Sequence, residues 1–350
     1  MTELLRLTVK SVRMPILVLV TILATSCITA DEVDTSNTGV LRALWKTIDE
    51  HYCFFREKRD SFGVDWAEVY PRYAARLHTM MDSQQLFEVC AAMLAELRDG
   101  HVNLSAAHDV SGYSAWFESY PSNFSDTLQR IYLGPRTEYR VAAGISYRML
   151  NGNIGYMRVP TFAHQFGEGN LSQILQHLAA ADGLIVDIRS NSGGMLTAAQ
   201  RLAACFVNRR TYVGSIRHKV GKAHEAFSEP TPIYIEPMAG LRWQKPVVVL
   251  TNRRTYSAAN SFAAFVRYFP LVTLMGDKTG GGGGMPFSSE LPNGWGVRLS
   301  VAPMADARGN TIEEGVAPAV PVGITTTDYQ RGRDTMIEAA IAQLNKPFSP

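Results

Sequence analysis

The chain has 350 residues, of which 46% are hydrophobic and 19% charged, and its formal net charge is +2. That length allows two domains or one large domain with an appendage, and that composition supplies a sizeable core. So small a net charge leaves no global field with which to hold nucleic acid or an anionic membrane surface, so nucleic acid is excluded as a partner.

Residues 1–27 read as a signal segment. Arg6, Lys10 and Arg13 form a basic start, and Met14 to Ala24 is an apolar run too short to span a bilayer as a helix. Ala24-Thr25-Ser26-Cys27 then resembles a bacterial lipobox, in which the Cys27 thiol is lipidated; a plain signal cut near Ala30 is the alternative. The expectation is an exported chain, lipid-anchored in the bacterial cell envelope. Residues 28–38 are polar and acidic and suit a flexible tether. Removing residues 1–26 takes away three basic residues and one acidic one and leaves no net formal charge. Cys53, Cys90 and Cys205 remain, an odd number that closes no disulfide framework, and they read as small buried hydrophobes. No C-x-x-C occurs, so no zinc site is expected.

Residues 39–105 read as a helical N-terminal domain. Val40, Leu41, Leu44, Trp45 and Ile48 recur at helical spacing, as do Leu86, Val89, Cys90, Met93, Leu94 and Leu97. Asp82-Ser83 is a cap for the second run. Asp99-Gly100 is read as its stop, with Gly100 supplying the positive φ a helix end favours. His101 then opens an extended segment to Ser105. Residues 106–150 are aromatic, polar and punctuated by Gly and Pro, and read as an irregular or β-rich insert with no recognisable PDZ domain. From residue 151 to 350 the pattern is α/β. Strands are expected at Asn153–Val159, Gly183–Ile188, Pro246–Thr251, Leu271–Met275 and Trp295–Val301, and helices at Leu171–Ala181, Leu196–Phe206, Ser257–Phe269 and Asp334–Leu344. Short apolar runs without alternation, such as Gly183 to Ile188, indicate strands buried on both faces of a largely parallel sheet.

Five segments carry groups fit for chemistry. Ser257 follows a buried strand and opens a helix, where free backbone N–H groups and the positive dipole end stabilise an oxyanion, although on this segment alone an ordinary helix cap is the commoner reason for a serine. Asp187-Ile-Arg-Ser-Asn-Ser-Gly193-Gly194 is a second strand-to-helix turn whose glycines let amides approach a ligand. His101 is a candidate base, with His108 in reserve. Glu313 and Glu314 are candidate partners for an imidazole. The glycine run at 280–284 is a mobile loop by default and, beside an active site, a groove lining. It is not a P-loop, since the required strand–GxxxxGK[ST]–helix order is absent.

Taken together, the order and spacing of these segments resemble peptidase family S41, the tail-specific or C-terminal processing proteases and the tricorn catalytic core. Gly183 to Gly194 reads as that family's G-L-I-x-D-x-R-x-N-x-G-G. Ser257-Ala258-Ala259-Asn260, Gly276 and Thr279-Gly280-Gly281-Gly282 follow in the family's order. The N-terminal part, with Leu97-Arg-Asp-Gly-His101, looks like exported lipoprotein members from Bacteroides-type bacteria. The resemblance covers roughly residues 40–330. It implies an α/β fold with a ClpP/crotonase-like spiral core and an N-terminal helical domain. It further implies a serine endopeptidase or oligopeptidase acting on peptide or unfolded protein, with Ser257 as nucleophile and His101 as base. In this reading Glu313, or Glu314, completes a tricorn-like relay, and Gly193, Gly194 and Ala258 form the oxyanion hole. No metal or organic cofactor is called for. The family's Ser–Lys branch carries a lysine where Gly282 stands here, which leaves Lys278 a minor alternative. Tricorn's serine directly before the histidine is replaced by Gly100, which supports the rival reading of a non-catalytic peptide- or lipid-binding protein on the same fold. A crotonase-like acyl-CoA enzyme is a more distant alternative, because CoA is not found outside the cell.

Overall fold

The computed structural model describes residues 33–346. The expected signal segment, Cys27 and the start of the tether lie outside the described residues, as do residues 347–350. No helix among the described residues is long and apolar enough to cross a membrane.

The N-terminal part is helical for the reasons its periodicity suggests. Helix α1 (Asn37–His51) starts where the Ser36 side chain accepts from Gly39 N, and it buries Val40, Leu41, Leu44 and Ile48. Helices α2 (Phe55–Phe62) and α3 (Trp66–Ala74) follow. Helix α4 (Ser83–Ala95) opens with a capping box between Asp82 and Gln85. It stops at Ala95, before the expected Asp99-Gly100 end, and the residue with positive φ is Arg98 (48°), not Gly100. Gly100 is required for space instead: a Cβ there would lie 2.9 Å from both Trp116 Nε1 and the Tyr256 hydroxyl oxygen. Strand β1 (Asn103–Ser105) then pairs antiparallel with the long strand β11 (Gly296–Asp306). Trp295, Val297 and Leu299 share one hydrophobic core with Leu41, Trp66 and Phe87, so the helices close over that sheet.

Between these parts lie α5 (Ala115–Glu118), α6 (Asp126–Leu133), β2 (Arg140–Ala142) and β3 (Ile145–Leu150). Residues 106–150 are thus helical in part, and their two strands continue the main sheet. The rest of the chain supplies β4 (Ile154–Arg158), α7 (Glu168–His177), β5 (Gly183–Asp187), α8 (Leu196–Ala203), β6 (Thr211–Ile216), β7 (Thr231–Ile235), β8 (Val247–Thr251), α9 (Ala258–Val266), β9 (Val272–Gly276), β10 (Gly284–Glu290), β12 (Val320–Pro321), α10 (Thr326–Gln330) and α11 (Thr335–Leu344).

The seven-stranded sheet has the order β12-β9-β8-β5-β4-β3-β2, parallel from β12 to β4 and antiparallel at the β3 and β2 edge. Strands β5 and β8 are buried throughout, as apolar runs without alternation require. The second sheet, β1-β11-β6-β7 with β10 also on β11, joins the helical part to the α/β part. The fold is therefore mixed α/β with N-terminal helices and a central sheet.

A buried ionic network holds the turn after β5. Arg189 pairs with Asp187 at 2.7 Å and with Asp334, at the start of α11, at 2.9 Å, and all three side chains are fully buried. Tyr156 OH also donates to Asp187. Buried charges persist only when paired and hydrogen-bonded in this way. The Asp and Arg of the sequence motif therefore shape the turn.

Candidate active site

Ser257 sits at the junction of the loop after β8 and the first turn of α9. Its φ of 56° is left-handed, a strained conformation for a non-glycine residue. Its side chain makes no cap to the helix. Ser257 N donates to Gly281 O at 2.9 Å. The hydroxyl instead lies 3.0 Å from His101 Nε2, although 156 positions separate the two residues. The structure thus brings together the two residues on which the sequence reading depends.

His101 is 3% exposed, and burial pushes its pKa below the ordinary histidine value while Asp99 opposes that fall. A neutral imidazole is the form that can accept the serine proton. When Nε2 accepts, Nδ1 carries the N–H, and it is buried without a hydrogen-bond partner among the described residues. The turn that carries His101 is pinned by Asp99, whose carboxylate accepts from His101 N at 2.7 Å.

Glu313 does not hold the imidazole, which corrects the expected relay. Its Oε1 accepts from Lys58 Nζ at 3.0 Å and its Oε2 from Gly283 N at 2.9 Å, so both oxygens are engaged elsewhere. The partner Lys58, on α2, is itself buried and carried no signal in the sequence beyond being one lysine in a polar helix. Glu314 is exposed, and Lys278 bonds through its backbone to Asp277. Neither has a hydrogen bond to Ser257 or His101 among the described residues. His108 is exposed and packs its ring against Phe87 and Trp295.

Burial and the nearby Asp99 push the Glu313 carboxyl up to about 8, against the pull of Lys58. A carboxyl raised above its free value of 4.5 favours the folded state below that value, and the benefit is lost as pH rises through the folded pKa. Relative to Glu313→Gln, the wild type should therefore lose thermal stability between about pH 5 and 8. Melting curves of both proteins across that window check this; parallel curves would contradict it.

Of the three expected oxyanion donors, Gly193 is excluded. Its N–H donates to Asn191 Oδ1 at 2.9 Å. Its role is close approach: with φ at +98°, a Cβ there would come within 2.8 Å of Ala258 N and Ser257 Cβ. The amides of Gly194 and Ala258 make no hydrogen bond among the described residues, so they remain able to bind a developing oxyanion.

The glycine run is a packed strap and not a loose loop. Gly280 N donates to Thr255 O, Gly281 O accepts from Ser257 N, and Gly282 N donates to Glu313 O. Thr279 Oγ1 donates to Asn260 Oδ1 and accepts from Val316 N, both at 2.6 Å. Asn260 Nδ2 reaches Ile312 O at 2.9 Å. The motif residues Asn260 and Thr279 thus brace the nucleophile's helix against the segment bearing Glu313. Tyr256 stacks on Trp116 with ring centres 4.3 Å apart. That stack walls a cavity of about 380 Å³ lined also by Tyr113, Arg98, Arg253 and Lys278. A smaller cleft of about 90 Å³ is lined by Ser257, Ala258, Gly194, Leu196, Met285 and Met304.

Comparison with known proteins adds to this geometry. Residues 153–322 match the model of Peptidase family S41, and residues 34–95 that of the Tricorn protease C1 domain. A crystal structure of a provisionally assigned peptidase from Parabacteroides merdae ATCC 43184 is 43% identical, with a TM-score of 0.84 over 90% of this chain and 100% of that one. The carboxyl-terminal-processing protease of Picosynechococcus sp. (strain ATCC 27264 / PCC 7002 / PR-6) is 27% identical over 55% of this chain and 48% of its own. This chain spans about half the length of such curated relatives or less. Mature CPAF, 12% identical over 88% of this chain and 98% of its own, shares the fold at a TM-score of 0.70.

Proposed function

Because this chain belongs to peptidase family S41, we propose that it is a serine peptidase that cleaves peptide bonds through an acyl-enzyme on Ser257. The supporting observation is the 3.0 Å approach of Ser257 Oγ to a buried His101 Nε2 at a strained turn. His101 removes the hydroxyl proton as Ser257 Oγ attacks the scissile carbonyl. The amides of Gly194 and Ala258 receive the oxyanion, and each such donor typically contributes about 3 kcal/mol. His101 then protonates the leaving amine, and water, deprotonated by the same imidazole, releases the acyl group.

The substrate in this reading is peptide or unfolded protein, whose side chains the cavity beside Tyr256 and the cleft beside Met285 can receive. Processing of carboxyl termini, the activity in the names of the curated relatives, belongs to the same proposal. So does export with a lipid anchor at Cys27, supported by the basic, apolar and small-residue order of residues 6–27.

Labelling with a serine-directed fluorophosphonate tests the reading. One adduct per chain is expected, mapped to Ser257 and blocked by heat denaturation. The same peptide mapping, on protein exported from a bacterial host, should find a lipidated Cys27 as the first residue; an unmodified start near Ala30 would refute the anchor. Saturable peptide binding with no adduct and no hydrolysis would favour a binding protein on this fold.

A further inference from the structure

We infer that Asp99, and not Glu313, is the positioning carboxylate of His101; this rests on the peptidase reading. Asp99 is 2% exposed and collects four donors from four parts of the fold. His101 N reaches Oδ1 at 2.7 Å from its own turn. Ser300 Oγ on β11 donates to Oδ2 at 2.9 Å, and Tyr52 OH, just past α1, donates to Oδ2 at 3.1 Å. Tyr256 OH donates to Oδ1 at 3.4 Å. Tyr256 immediately precedes Ser257, so one carboxylate ties the turn bearing the base to the turn bearing the nucleophile.

The arrangement has an electrostatic consequence. When His101 takes the Ser257 proton it becomes a cation in a nearly dry site, where an opposite charge counts most. Glu313 is paired with the buried Lys58, whose cation offsets its charge. The groups facing the imidazole are Asp99 in its own turn, Tyr256 before α9 and Arg298 on β11; Asp99 holds the imidazole pKa up and Arg298 holds it down. Asp99 thus stabilises the imidazolium through space and the turn geometry through its hydrogen bonds, without touching the imidazole nitrogens.

Titration of His101 by NMR, with ¹⁵N-histidine and His101→Gln for assignment, separates this role from a purely structural one. In Asp99→Asn the His101 pKa should fall by about one unit, the size of a lost neighbouring charge. The acid limb of kcat/KM should move down with it, and kcat should drop about tenfold or more with little change in KM. In Glu313→Gln the His101 titration should stay where it is. Ser300→Ala removes one donor but keeps the charge, so His101 should titrate slightly higher, opposite in direction to Asp99→Asn. An unmoved His101 in Asp99→Asn overturns the inference; if that variant does not fold, an unmoved or lowered pKa in Ser300→Ala does so. The titration needs no substrate, so a chain that hydrolyses nothing counts against the peptidase reading alone.

Discussion

Replacing Ser257 by alanine is expected to reduce peptide hydrolysis by about 10⁴- to 10⁶-fold, with the melting temperature close to that of the wild type. Among the described residues the hydroxyl has one side-chain partner, His101 Nε2, and makes no cap to α9, so its removal takes away the chemistry and little else. Residual catalysis would come from the amides of Gly194 and Ala258 and from substrate binding. His101→Gln should cost a similar factor. The double variant should be no slower than either single one, because nucleophile and base act as a unit. Steady-state kinetics on a fluorogenic peptide library decide this, and a Ser257→Ala protein within tenfold of the wild type would remove the acyl-enzyme mechanism.

The second large effect is expected at Gly281. Its φ is +88°, and a Cβ there would lie 1.8 Å from Glu313 O, a backbone atom that cannot swing aside. Gly281 O also accepts the Ser257 N–H. In Gly281→Ala the strap must leave either the nucleophile's turn or the Glu313 segment. Overpacking of about 1–3 kcal/mol and left-handed strain of about 1–2 kcal/mol act together. A loss of about 3 kcal/mol or more is therefore expected, together with loss of fluorophosphonate labelling. Gly309 provides the control, since its φ of +81° is similar but nothing lies within 4 Å of a Cβ there. Gly309→Ala should cost only about 1 kcal/mol and retain labelling. Urea denaturation of both variants makes the comparison; equal losses would show that crowding at Gly281 is unimportant.

Much of the α/β part is legible because its strands are buried on both faces. Gly183 to Asp187 and Val247 to Thr251 are apolar at nearly every position, and each leads through a short turn to a helix with an apolar face. The strands that went unread are those with few buried positions. Strand β10 is mostly exposed, and Thr231–Ile235 has only Ile233 and Ile235 buried. Helix α6 lay in a stretch rich in polar residues and aromatics, and only Leu128 and Leu133 are buried along it. Short amphipathic elements of this kind depend on what they pack against, which periodicity does not reveal.

The amino-acid order by itself determined which residues could react and where in their local elements they stand. It placed a serine at the leading end of a helix, a histidine beyond a helix stop, and glycines where backbone must approach backbone, because these depend on neighbours within a few positions. Only the tertiary structure decided which carboxylate serves the histidine. Glu313 stands where the sequence reading expected the carboxylate, yet α2 delivers Lys58 to it from 255 residues away. Asp99 reads as part of a turn, yet β11, the end of α1 and the nucleophile's turn converge on it. The physical reason is that a buried charge must find its partners, and those partners are chosen by packing across the whole chain, not by spacing along it.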